Sequence, residues 1–342
     1  MSKISIKDVA ELAGVSPTTV SRVINDSDHP VSEDTRRAVE MAIKELNFEP
    51  NRLARGLIKN KSNIIGVIVH DISDPYFAEI LKGIEEVTAA YDYILNIYNT
   101  YRNVEKELEA VKTLRAIQAD GVVFTGGSLL DEKYRERMKW YVQELKKRKV
   151  TIVGIATHPF AIKNIQIGNT FAARTITGYL YDKGHEKIAY VNGPEILSTT
   201  RERLQGYRQA LQSHHLIFDE SLIIPGDFTF SGGREAARLL LDRISEITAV
   251  VCANDETALG LIWELKNCSI RVPEEVSVVG IGNIPEARYS YPPLTTMSLP
   301  IRRIGLLTGS YLINGLLNRE ELNIKEDMEI SLVERESVYQ LK

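Results

Sequence analysis

The sequence predicts an all-α head followed by an α/β core of two doubly wound lobes, on three observations. Through the first fifty residues apolar side chains recur at helical spacing (Val9, Leu12, Ala13; then Val20, Val23, Ile24; then Val39, Ala42, Ile43, Leu46) with no strand-like run. From Ile64 onward short apolar segments alternate with amphipathic stretches, the pattern of a parallel sheet with helices on both faces. A chain of 342 residues with 44% hydrophobic content has room for two or three units of about 100–200 residues each. Intrinsic disorder is excluded as the main state.

The head reads as three helices. Gly14 supplies the positive φ of a tight turn, Ser16 is a natural N-cap and Pro17 a natural first helical residue. Ser32 caps a third helix whose first turn carries Glu33 and Asp34. Pro50 stops it, and residues 51–61 then hold Arg52, Arg55, Lys59 and Lys61 without an acid, a linker that orders on contact with a partner. In the core, strands are expected at 64–69, 94–98, 121–124, 151–155, 187–191, 249–253 and 277–281, and another at 328–333. Pro159 and a new α/β series near Ile165 divide the lobes, and Ile167-Gly168-Asn169 is echoed by Ile281-Gly282-Asn283. The expected organisation is a head at 1–50, a hinge segment at 51–62 and a two-lobed core at 63–342. Lobe one takes 63–157 and 296–323; lobe two takes 158–295 and 324–342.

Charge and motifs narrow the function. Lys+Arg 42 against Asp+Glu 46 gives a net charge of -4, which excludes a uniformly basic polyanion binder and makes any nucleic-acid contact local. Cys252 and Cys268 are too few for a disulfide framework, lack metal-ligand spacing and read as buried apolar residues, so neither metal nor cofactor is expected. The polar start and the absence of a run of about 18 apolar residues point to a cytoplasmic protein without membrane contact. No nucleophile elbow, Walker loop, zinc-protease motif or dinucleotide fingerprint is present, so an enzyme is not expected. Gly126-Gly127-Ser128 and Ser231-Gly232-Gly233 read as short glycine turns.

Residues 6–25 meet each requirement of a helix-turn-helix: a first helix, a turn with Gly14, and a second helix whose start can enter a DNA major groove. Its outward face presents Pro17, Thr18, Ser21, Arg22 and Asn25. Arg22 is the candidate base reader, because its fork matches the two acceptors of guanine. Thr18 can meet a thymine methyl, while Ser16, Thr19, Ser21 and Asn25 suit phosphate contacts that fix register.

These residues, with Val31-Ser32-Glu33-Asp34-Thr35-Arg36 and residues 50–57, resemble the lactose/galactose repressor (LacI/GalR) family of bacterial transcription regulators. The likeness continues through Asp71-Ile72-Ser73-Asp74-Pro75-Tyr76-Phe77, Gly184-His185-Glu186-Lys187, Arg203-Leu204-Gln205-Gly206-Tyr207, Ala253-Asn254-Asp255 and Pro293-Leu294-Thr295-Thr296. The resemblance implies a periplasmic-binding-protein-like core and a homodimer on a pseudopalindromic operator. It also implies a hinge contacting DNA through Asn51, Arg52, Ala54 and Arg55, with Leu57 as the wedge entering the minor groove. Residues 334–342 are too short for an added tetramerisation helix, which favours the dimer.

The resemblance further implies a small-molecule effector, a carbohydrate, between the lobes. In open α/β sheets ligands sit at the carboxyl ends of strands, which directs attention to Asp71, Ser73, Asp74, Tyr76 and Phe77, to Thr125, and to Asn254 and Asp255. Asp74 serves either as a helix cap or as a ligand contact. Arg203 and Phe228 match the family's pocket arginine and aromatic positions, and His158 is an added polar candidate. Ala156, Gly168 and Gly282 stand where sugar-binding members commonly carry aspartate, so the effector is expected to differ from a simple hexose in size or charge, a larger or anionic sugar. The function expected is a repressor of carbohydrate-utilisation genes under allosteric control. The alternatives are a regulator answering to a protein partner and a sugar-binding module without DNA function; the latter would have no helical head.

Overall fold

The computed structural model describes residues 4–24, 29–48, 61–160, 162–319 and 328–341. They form two compact units, one within residues 1–62 and the other within 63–342.

The first unit holds α1 (Ile6–Leu12), α2 (Pro17–Ile24) and α3 (Glu33–Glu45) around Val9, Ala10, Val20, Val23, Val39 and Ala42. The caps form as the side chains demand. Ser16 Oγ accepts the Thr19 N–H at 3.1 Å, and Ser32 Oγ accepts the Thr35 N–H at 3.3 Å. Gly14 takes φ +65° at the turn. The backbone N–H and hydroxyl of Ser5 both donate to Asp8 and hold its carboxyl below the usual range.

The second unit contains two sheets. The first runs β2 (Ile94–Asn99), β1 (Ile64–Val69), β3 (Gly121–Phe124), β4 (Thr151–Ile155), β5 (Lys163–Ile165) across its width, all parallel. Helices α4 (Pro75–Thr88), α5 (Val104–Ala116) and α6 (Glu132–Lys147) connect its strands. The second sheet is built from β6 (Ile188–Val191), β7 (Ile223–Ile224), β8 (Ala249–Cys252), β9 (Ser277–Gly282), β10 (Thr295–Ser298) and β11 (Ser331–Val333), in the order β11-β10-β9-β8-β6-β7. Its helices are α7 (Asn169–Asp182), α8 (Ser198–Ser213), α9 (Phe230–Leu240), α10 (Asp255–Asn267) and the short α11 (Glu286–Tyr289). β11 is antiparallel to β10, and the other pairings are parallel. The central strands are buried on both faces, as their continuous Val/Ile runs require.

After β10 the chain returns to the first lobe as α12 (Ile301–Leu316), packed along α4. Two glycines permit the close crossing. A Cβ on Gly83 would lie 2.5 Å from the Arg302 carbonyl oxygen, and one on Gly305 2.3 Å from that of Ile80.

The lobes exchange strands at different points from those expected. β5 pairs with β4, Gly154 opposite Asn164, so the first sheet extends to Ile165 rather than ending at 157. β10 pairs with β9, so Thr296–Ser298 belongs to the second lobe. Both are short strands without an apolar run, which hides them from periodicity. β11 begins at Ser331, three residues after the expected start. Cys252 is buried, but Cys268, the residue after α10, is exposed.

Candidate functional site

Residues just past the carboxyl ends of strands from both sheets line one cleft of about 600 Å³, counted out to its open mouth. Its first-lobe wall begins with Asp74, whose carboxylate accepts the Tyr76 N–H at 2.9 Å and so caps α4 while lining the cleft. Both roles foreseen for it are therefore compatible. Tyr76 and Phe77 follow with rings edge to face, 5.1 Å between centroids, and both line the cleft.

From the second lobe Arg203 enters almost fully buried. Its Nε–H donates to Asn169 Oδ1 at 3.0 Å and a terminal N–H donates to the Ala253 carbonyl. Its guanidinium carbon lies 5.7 Å from the centre of the Phe228 ring, and that of Arg102 lies 5.8 Å away. Thus a cation from each lobe meets one aromatic ring. Arg102 and Phe228 hold φ of +59° and +69°, conformations that side-chain-bearing residues avoid unless their surroundings impose them. Asn254 Nδ2–H donates to the Phe228 carbonyl at 2.9 Å, and its Oδ1 accepts the Thr257 N–H at 3.1 Å. That side chain caps α10 and fixes the Phe228 loop.

Four expected residues are not on the cleft wall: Asp71 accepts the N–H of Ser73 at 3.0 Å and its hydroxyl at 2.7 Å, both residues outside the lining, and Thr125 and His158 are engaged elsewhere. The Thr125 hydroxyl donates to the Ile68 carbonyl at 2.9 Å and is consumed inside the sheet. His158 Nε2 lies 2.9 Å from the Gly126 carbonyl, and its ring packs with Phe124 and Phe160, so apolar neighbours hold it behind the wall. Conversely, His70, Arg102, Thr199 and Glu256 line the cleft without having been singled out, and Gly126 and Gly127, expected only as a glycine turn, line it too. Ser231-Gly232-Gly233 lies in the first turn of α9.

Burial shapes the electrostatics. Asp255, which takes the Thr296 hydroxyl at 2.5 Å and the Ile284 N–H at 2.9 Å, has its carboxyl pushed up to about 6 by desolvation. Glu256 is pushed up to about 7 by burial, with Asp74 and Glu286 adding repulsion. Burial also raises Asp74. The guanidinium groups stay charged even though burial lowers their pKa. Near neutral pH the cleft therefore presents two fixed cations and, in Glu256, an acid that titrates in that range.

The three departures from the sugar-binding pattern differ in position. Gly282 lines the cleft, where an added Cβ would lie 3.2 Å from Asp255 Oδ2, so the Asp255 carboxyl stands against the place of that missing side chain. A Cβ on Gly168 would meet Ile330 at 2.4 Å, and Ala156 is buried.

On the head, Pro17, Thr18 and Arg22 are exposed along α2 while Val20 and Val23 face its core. Ser16 is exposed and pairs its hydroxyl with that of Thr19 at 2.9 Å; Thr19 and Ser21 are half-buried. Asn25, Asn51, Arg52, Ala54, Arg55 and Leu57 lie outside the described residues.

Residues 5–51 match the profile of the bacterial regulatory proteins of the lacI family, and residues 177–338 match that of a periplasmic binding protein-like domain. The HTH-type transcriptional repressor PurR of Photorhabdus laumondii is 33% identical over 335 residues, 98% of this chain and 96% of its own length. This chain belongs to the LacI family. Among solved structures, this LacI-family chain resembles the lac repressor dimer bound to operator and the anti-inducer ONPF with a TM-score of 0.84 and 26% identity, over 99% of this chain and 100% of that one. The transcriptional regulator CelR in complex with cellobiose gives a TM-score of 0.70 at 30% identity, over 98% and 99% of the two chains. Among the described residues of this family member no helix is long and apolar enough to cross a membrane.

Proposed function

We propose that this protein is a cytoplasmic, homodimeric transcriptional repressor that binds a pseudopalindromic operator and is switched by a carbohydrate-derived effector in the cleft. The observation that carries the reading is the pairing, in one chain, of an exposed Arg22 on a capped recognition helix with a cleft built at the strand ends of both sheets. In it Arg22 reads a guanine edge, Thr18 meets a neighbouring base, Ser16, Thr19, Ser21 and Asn25 set the register on phosphates, and Pro17 packs on the outward face beside them. Asn51, Arg52, Ala54, Arg55 and Leu57 serve the hinge contact.

The effector's apolar face lies on Phe228 and against Tyr76 and Phe77, with Asp74, Arg203 and Asn254 bounding it. Effector and operator bias the same arrangement of lobes, so each changes the other's affinity by one factor. The lac repressor dimer with its operator and the CelR–cellobiose complex support this reading. Genes of carbohydrate use are the expected targets.

The test is selection of bound duplexes from a random DNA library with the full-length protein, followed by calorimetric titration of glucose, cellobiose, sucrose, glucose 6-phosphate and glucuronate. A two-fold symmetric motif and saturable binding of a sugar from the panel are expected. Recovery of unrelated sequences contradicts the operator reading, and a panel without binding contradicts the carbohydrate reading.

A further inference from the structure

Behind the first-lobe wall lies a chain of buried polar groups that the ligand contacts above do not use. Tyr134 of α6 donates its hydroxyl to Glu107 Oε1 on α5, and both side chains are buried. The other oxygen, Oε2, has no hydrogen-bond partner. It faces His70 Nε2 at 3.8 Å, so about 0.8 Å of closure brings the pair to ordinary hydrogen-bond distance. His70 is wedged in place. Its ring meets Phe77 edge to face at 5.9 Å, and its Nδ1–Cε1 edge abuts Gly126, where a Cβ would lie 2.4 Å from both atoms. His70 and Gly126 both line the cleft.

Burial above all keeps the imidazole neutral. Burial, with repulsion from Arg102 and His158, pulls His70 down to about 3. Arg102 in turn faces Asp74, Asp71 and Asp227. Glu107 is the group that titrates: burial pushes its carboxyl up to about 7 against the lowering effect of the Tyr134 bond. Burial and Glu107 raise Tyr134 well above its ordinary range, so it remains a donor.

We propose that His70 is a hydrogen-bonding residue of the effector cleft and that Glu107 positions it by fixing its tautomer. This rests on the cleft being the effector site. With Glu107 ionised, Oε2 accepts the Nε2–H and leaves Nδ1 as an acceptor. When the pair takes up one proton, the Nε2 proton passes to Oε2 and the incoming proton sits on Nδ1. The edge beside Gly126 then becomes a donor, so the polarity of the wall inverts with pH while the ring stays neutral.

The experiment is long-range nitrogen–proton NMR of full-length protein labelled at its six histidines, from pH 5.5 to 8.5, with His70 identified by the signals lost in His70→Gln. The expected result is an Nε2–H ring above a midpoint near 7 and an Nδ1–H ring below it. Glu107→Gln is expected to lock the Nδ1–H form throughout, because the amide must donate to Nε2. Tyr134→Phe is expected to move the midpoint to higher pH. A single tautomer across the range in the unaltered protein, an imidazolium titrating near 6.5, or an unmoved midpoint in Tyr134→Phe overturns the coupling. A sugar that binds in the calorimetric panel without moving the His70 signals overturns its part in recognition. A panel in which nothing binds counts against the effector reading instead.

Discussion

Arg203 of α8 donates a guanidinium N–H to the carbonyl oxygen of Ala253, the residue that follows β8. A side chain at the cleft is thereby tied to the end of the strand that carries Asn254, Asp255 and Glu256. Its Nε bond to Asn169 fixes the plane of the fork, and Phe228 covers one face. A guanidinium that lines the cleft thus also braces the second lobe internally.

Arg203→Lys keeps the charge and loses the fork. An ammonium cannot reproduce the Asn169 and Ala253 bonds together, and a buried acceptor left unpaired costs about 1–3 kcal/mol. A lowered Tm by calorimetry and at least about tenfold weaker sugar binding are expected, since about 1.4 kcal/mol is a factor of ten. Unchanged Tm with unchanged affinity would contradict the bracing role.

Phe228→Leu conserves apolar bulk and removes the π face that Arg102 and Arg203 share. A cation–π contact contributes about 0.5–2 kcal/mol. Sugar affinity should fall roughly two- to thirtyfold by that measure, with a smaller change in Tm because the volume is largely retained. Equal affinity in titration calorimetry would show that the ring serves packing alone.

Asp255 gives a signed pH effect. Its carboxyl titrates near 6 in the fold against an ordinary value of 3.8, so the folded state holds a proton that the unfolded chain has released. Stability from this group is full below about 3.8 and is lost as pH rises through 6, on the order of 3 kcal/mol. Asp255→Asn does not ionise. The Tm of the variant minus that of the parent should therefore rise between pH 4 and pH 6, and a constant difference would contradict the burial of an ionising carboxyl.

In the head, Arg22→Ala should abolish discrimination between the selected operator and random duplex while leaving sugar affinity unchanged. Ser16→Ala removes the N-cap bond to Thr19 and should cost about 1 kcal/mol of head stability, read by hydrogen exchange of α2. Loss of sugar binding in Arg22→Ala would contradict the separation of roles.

The long buried strands are legible in the sequence because a parallel strand covered on both faces must be apolar throughout, as in β1 and β9. Caps such as Ser16, Ser32 and Asp74 are legible because a short oxygen-bearing side chain before a helix has one obvious use. His70, Arg102 and Glu256 are not. His70 follows β1, Arg102 lies between β2 and α5, and Glu256 sits in the first turn of α10; none belongs to a motif of its own, and only the return of the strands to one edge brings the three together. β5 and β10 escape for another reason: their polar residues owe their strand conformation to a neighbour already in the sheet.

In the proposed function, one ligand equilibrium and one DNA equilibrium are linked through this chain. The direct measurement is a thermodynamic square. Operator affinity is determined by fluorescence anisotropy with and without the sugar that binds in calorimetry, and the sugar's affinity with and without operator. Both are expected to change by the same factor, above about fivefold. A sugar that occupies the cleft and leaves operator affinity unchanged would contradict the linkage.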